Sequence, residues 1–142
     1  MTISIPREIM AQIHHHLERA YPEEGAGLLL GLIVEDRKQV KGILPLPNVQ
    51  EEAVRHHRYL LSAEGYLQAE TEAERQGYIV LGVFHSHPDH PEQPSIYDRE
   101  SAWPSFSYLI TSVWAGRAVD SCSWILIEDR QEFHKEQVEI TD

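Results

Sequence analysis

A chain of 142 residues fits one compact domain spanning 1–142, and 42% hydrophobic with 25% charged residues is the composition of a soluble globular fold, which excludes extensive disorder. A formal net charge of -11 repels a phosphate backbone and so excludes nucleic acid as a partner class. Cys122 is the single cysteine, which excludes an internal disulfide and a thiolate-built zinc knuckle, so any metal has to sit on histidines and carboxylates.

The opening MTISIPREIM lacks a basic segment followed by an apolar stretch, and the longest apolar run, Ala26 to Val34, is too short to span a bilayer. The expectation is a cytoplasmic protein with no membrane partner. Pro6 to Tyr21 reads as a helix, with Pro6 suited to its first turn and Ile9, Ile13, Leu17 and Ala20 recurring on one face. AGLLLGLIVE, EDRK and QVKGILPL read as two strands joined by a tight polar turn, with Pro45 and Pro47 ending the second. Asn48 to Arg58 is polar and reads as a loop. Ser62 to about Gln76 predicts a helix capped by Ser62 and stopped by Gly77.

YIVLGVF is a continuous apolar run suited to a strand buried on both faces, and it delivers HSHP at its end. After a proline-rich loop, Ser95 with Asp98 three residues later has the form of a capping box, so a short helix to about Ala102 follows and Pro104 closes it. SFSYLITSV, CSWILIE and Glu132 to Ile140 read as strands. Strands joined by short turns, with helices between others, predict an α/β domain: a mixed sheet flanked by helices.

Histidines at i and i+2 on a strand project to one face, so His85 and His87 can present imidazole nitrogens to one ion while Ser86 points away. Asp98 stands on the first turn of the short helix, and the intervening loop is long enough to bring its carboxylate back over the strand end. Two neutral imidazoles and one carboxylate leave a zinc ion with positive charge and an open fourth position, the arrangement of a hydrolytic site; a structural site is closed by a fourth protein ligand.

These residues carry a resemblance. HSHPDHPEQPSIYD is similar to the JAMM motif, His-x-His-Pro, six residues, then Ser-x-x-Asp, with every fixed position filled. The short prokaryotic members of this JAMM/MPN+ (JAB-type) zinc metalloprotease family also carry Pro-x-Glu-x-Cys-Gly-Leu-Leu near the exit of the first helix. PEEGAGLLLG fits it at Pro22, Gly27 and Gly31, puts the family glutamate at Glu24 with Glu23 as the variable residue, and replaces the cysteine by Ala26. Asn48 matches an asparagine common after the second strand.

The resemblance covers about Pro22 to Asp98. It implies a JAMM/MPN-like fold of cytidine-deaminase-like architecture, a Zn2+ ion held by His85, His87 and Asp98, Glu24 as general base, and Ser95 as the hydroxyl that steadies the oxyanion. The implied activity is hydrolysis of a peptide or isopeptide bond at the C-terminal tail of a ubiquitin-like or sulfur-carrier protein. A non-catalytic MPN-type scaffold is the alternative, although such relatives have lost ligands that this chain keeps. A zinc-dependent nucleobase deaminase is excluded because its Pro-Cys-x-x-Cys ligands need two cysteines.

Other polar clusters have plainer readings. His14, His15 and His16 lie about 100° apart around a helix, cannot converge on one ion and read as a solvated face. His90 would abolish the chemistry as a fourth ligand, and reads as exposed or lining a groove. Arg55, His56, His57 and Arg58, the only locally basic cluster, read as a solvated loop, with an acidic partner as the alternative. Tyr97 and Trp103 are expected to pack under the metal.

Overall fold

The computed structural model describes residues 2–127 and 132–142. Its elements run β1 (Thr2–Pro6), α1 (Arg7–Ala20), β2 (Ala26–Val34), β3 (Arg37–Leu46), α2 (Ala63–Gln76), β4 (Ile79–Pro88), α3 (Ile96–Ser101), β5 (Ser107–Trp114), β6 (Arg117–Ile127) and β7 (Glu132–Thr141). The expected strand CSWILIE is β6, except that its last residue, Glu128, lies outside the described residues.

The hairpins form where the turn chemistry allows. β2 and β3 pair antiparallel around Glu35 and Asp36, with Glu35 at positive φ, and β5 and β6 pair around Ala115 and Gly116, where both residues have positive φ as a type I′ hairpin turn requires. Ser62 caps α2 by accepting from the Gly65 amide, and Gly77 ends it in the left-handed region at φ 78°. α2 turns the small residues Gly65, Ala69 and Ala73 inward, which lets it approach the sheet closely.

β3 ends at Leu46, the last residue of the expected strand, with Pro47 beyond it; Pro45 is tolerated inside because β1 pairs with β3 only at Arg37, Lys38 and Gln39, and an edge without a neighbour demands no N–H from proline. One expectation is corrected. Pro6 is not in the first turn of α1; it ends β1 and caps the helix that begins at Arg7.

β1 itself, TISIP, was not legible as a strand, and it changes the architecture. It pairs parallel with both β3 and β7, so the mixed sheet closes into a barrel of order β1-β3-β2-β4-β5-β6-β7. The expected helices do flank that sheet. α1 packs Ile13 and Leu17 against Ile3, Ile5, Leu29, Phe84 and Leu109 on one face, while α2 covers Leu28, Leu30, Val83 and Tyr108 on the other. Alternation along β2, Leu29 to one side and Leu28 and Leu30 to the other, supplies both cores from one strand.

β4 lies between β2 and β5, antiparallel to the first and parallel to the second. Parallel pairing needs a crossover, and residues 89–106 with α3 provide it. At Gly82 a Cβ would lie 2.0 Å from the Ser107 carbonyl oxygen, so only glycine lets β4 and β5 approach as they do. The end of β4 is therefore clamped on both sides, and α3 is returned across it.

Candidate metal centre

The residues at the end of β4 are placed by strand alternation. His85 and His87 continue the face of Val83, and Ser86 continues the face of Phe84. Ser86 points away from the histidines as expected, but it is not idle. Its Oγ accepts from the Gly25 amide at 2.8 Å, and its own amide donates to the Gly25 carbonyl at 3.1 Å. The strand that carries the histidines is thus joined to the residue after Glu24.

Glu24 is 4% exposed, in the short segment between α1 and β2. Its amide donates to the Arg55 carbonyl at 2.8 Å, and its carbonyl accepts from Asn48 Nδ2 at 2.9 Å. Its Oε1 is buried with no hydrogen-bond partner among the described residues. Burial, reinforced by the nearby Asp98 carboxylate, pushes Glu24 up to about 9. Glu23 is half-buried and turns to Arg55, 3.9 Å away.

Asp98 stands on the first turn of α3. The expected capping box forms: the Asp98 amide donates to Ser95 Oγ at 3.1 Å, and the Ser95 amide donates to Asp98 Oδ2 at 2.8 Å. This fixes the carboxylate between the two imidazoles, with Oδ1 3.1 Å from His85 Nε2 and Oδ2 3.1 Å from His87 Nε2. Burial opposes ionisation of Asp98, yet the imidazoles and their hydrogen bonds hold it well below the usual carboxylate range. His85 is fully buried, and that burial pushes it down toward the neutral form a metal ligand needs.

His87 Nδ1 lies 2.7 Å from the Pro91 carbonyl oxygen, so this nitrogen carries the N–H and donates. In the neutral ring the Nε2 lone pair then faces a carboxylate oxygen, acceptor against acceptor, a repulsion that a shared proton or a bound metal cation relieves. The ligand atoms of His85, His87 and Asp98 all lie within 4.8 Å of one another, close enough to bind one metal ion. With the unpartnered Glu24 Oε1 beside them, the donor set fits a divalent ion with an open position.

A cleft of about 380 Å³ opens on this centre, lined by Glu24, His87 and Ser95 together with His57, His90 and Tyr97. His90 is exposed on its wall and stands outside the cluster of possible ligands. Tyr97 and Trp103 do not pack beneath the centre. They are 43% and 66% exposed, and Tyr97 lies on the rim with the Arg58 guanidinium 3.6 Å from its ring centroid. Tyr97 stands in the first turn of α3 and Trp103 just beyond its end, both exposed, a placement that residue type alone does not reveal. The aromatic against the metal face is Tyr59, stacked on His85 with centroids 4.4 Å apart and planes at 29°. No pattern in the loop before α2 marked it.

The basic loop is more engaged than a solvated one: Arg55 Nε donates to the Gln50 carbonyl, Arg58 stacks on Tyr97, and His57 lines the cleft. His14 and His16 are also half-buried, with Nε2 atoms 3.1 Å from Ser121 Oγ and the Ala26 carbonyl oxygen; His15 alone of the three is exposed.

This α/β barrel carries two histidines on a strand end and an aspartate on the crossover helix, at the spacing of the motif. Residues 6–127 match the family described as prokaryotic homologs of the JAB domain, and the chain belongs to that family, within the JAMM/MPN group. It is 35% identical over 104 residues to a Thermus thermophilus protein named "Probable TtuB-protein conjugate cleaving protease", covering 72% of this chain and 66% of that protein. It is 36% identical over 92 residues to the "Desampylase" of Haloferax volcanii, covering 64% of this chain and 63% of that protein. The chain thus matches just under two thirds of the length of each relative.

Two solution structures share the fold. A protein from Desulfitobacterium hafniense superposes with a TM-score of 0.86 at 28% identity, covering 99% of this chain and 93% of that one. One from Salinibacter ruber gives 0.76 at 41% identity, covering 100% and 92%. No helix among the described residues is long and apolar enough to cross a membrane.

Proposed function

We propose that this protein is a zinc-dependent peptidase or isopeptidase that hydrolyses a bond at the C-terminal tail of a ubiquitin-like or sulfur-carrier protein. The observation that carries the reading is the conjunction, on one cleft, of three converging ligands with a buried carboxylate that has no partner of its own. The names of the two relatives, a conjugate-cleaving protease and a desampylase, support the substrate class.

His85, His87 and Asp98 hold the ion, which when bound supplies a Lewis acid to polarise the scissile carbonyl and to acidify water. Beside a bound cation, whose charge favours its ionised form, Glu24 Oε1 would receive the proton of the attacking water and pass it to the departing amine. Ser95 Oγ accepts from the Asp98 amide, which leaves its own O–H free to donate to the developing oxyanion. An extended Gly-Gly tail would enter this cleft as a strand-like segment, held by main-chain hydrogen bonds.

The test is to incubate zinc-loaded protein with carrier proteins extended beyond Gly-Gly, through a peptide bond or a lysine isopeptide bond, and to follow product mass with and without a chelator. E24Q is expected to keep its zinc and lose about a hundredfold to ten-thousandfold in kcat. S95A loses less, about tenfold to a hundredfold, because the oxyanion keeps its other stabiliser. Full activity of E24Q, or turnover that survives complete chelation, would sink the proposal. A non-catalytic scaffold would instead purify without stoichiometric metal.

A further inference from the structure

We infer that Tyr59 is a positioning residue for the metal, holding the His85 imidazole by face-to-face stacking where a hydrogen bond would ordinarily hold it. The inference rests on His85, His87 and Asp98 being a metal site, and not on the substrate proposed for it.

An imidazole that ligates a metal through one nitrogen usually donates its other N–H to an acceptor, which sets the ring's orientation and makes it a stronger ligand. His87 follows that rule through the Pro91 carbonyl. His85 does not. Its Nε2 faces Asp98, while its Nδ1 is buried with no hydrogen-bond partner among the described residues. What restrains the ring is Tyr59, lying over it at 4.4 Å and nearly parallel.

Tyr59 is itself set with care. Asn48 holds the residues on both sides of it: Nδ2 donates to the Arg58 carbonyl at 3.0 Å, and Oδ1 accepts from the Leu60 amide at 3.1 Å. The same Nδ2 donates to the Glu24 carbonyl at 2.9 Å. One amide side chain therefore frames the ring over His85 and the backbone of Glu24 together. Both are placed by the loop between β3 and α2, which touches neither β4 nor α3 in sequence.

The stack supplies orientation without hydrogen-bonded basicity, so its loss should appear as weaker and less ordered metal binding. Y59F and Y59L are titrated with zinc against a chromophoric chelator, and with cobalt(II) read by its visible absorption. Unfolding temperatures in excess chelator serve as the control for folding. Y59F, which keeps the ring face, should bind within about twofold of the parent protein. Y59L should bind at least about tenfold more weakly, with an altered cobalt spectrum.

Unchanged binding by Y59L overturns the inference, as does an equal loss in Y59F, which would assign the effect to the hydroxyl. Should Y59L fail to fold, the unmutated zinc-loaded protein decides by NMR. The carbon-bound ring protons of His85 are expected upfield of those of His87, from the ring current of Tyr59. Equal shifts would overturn the inference. None of these readouts uses a substrate, so failure to cleave any carrier tail would count against the proposed function and leave this inference standing.

Discussion

Glu23 and Glu24 are adjacent carboxylates whose different surroundings separate what their sequence position does not. Glu23 meets Arg55 near solvent, whereas Glu24 is buried beside Asp98 and raised to about 9 from an ordinary value of 4.5. The sign of the consequence follows from proton counts. Between those two values folded Glu24 keeps a proton that the unfolded chain releases, so stability from this group is complete below about pH 4.5 and is lost as pH rises toward 9. In chelator-treated protein, E24Q should therefore gain on the parent by up to about 1.4 kcal/mol per pH unit across that window, measured by urea unfolding. A difference that stays flat with pH would contradict the buried, protonated state. At this scale the cluster of His85, His87 and Asp98 was legible, because His-x-His on a strand and an aspartate at a fixed offset are short-range patterns. Tyr59 was not, since its role depends on a ring 26 positions away that only folding brings against it.

Among the elements, the junction of β2 and β4 does the most for the site. Ser86 and Gly25 exchange two hydrogen bonds there, so the segment carrying Glu24 is tied to the strand carrying both histidines. S86A removes the acceptor of the buried Gly25 amide and is expected to cost about 1–3 kcal/mol of stability. It should also lower kcat more than it raises KM, because Glu24 shifts while the substrate cleft keeps its walls; steady-state kinetics beside urea unfolding would show it, and an unaltered kcat would argue against the tie. Local chemistry made α2, α3 and the β2–β3 hairpin readable, down to the Ser62 and Ser95 caps. β1 escaped because five residues give no usable periodicity and its partners, β3 and β7, lie far along the chain. Pro45 near the end of β3 depends on the same long-range fact, as whether a strand tolerates proline depends on whether a neighbour reaches that edge.

Over the whole molecule, closure of the barrel is accompanied by a polar cluster that the site does not use. Lys38 of β3, 2% exposed, donates to the Ser105 carbonyl and to Ser107 Oγ, and Ser107 and Ser123 both donate to Glu136 of β7, 3% exposed. Four strands, and the turn that leads from α3 into β5, meet on these groups. K38M leaves Glu136 buried without its balancing cation and should destabilise the protein by about 3–5 kcal/mol, whereas K38M with E136L should recover most of that loss in urea unfolding. Equal loss in the double variant would show that packing, not charge, is what Lys38 contributes. By itself, the sequence determined the identities and spacing of the candidate metal cluster, the capped helices and the β2–β3 hairpin, because each of these depends on groups within about a dozen residues of one another. Only the tertiary structure decided which glutamate is buried beside the centre, what holds His85, and that the sheet closes on itself. Those outcomes depend on contacts between segments remote in the chain, whose energies come from burial and from partners that exist only once the barrel has formed.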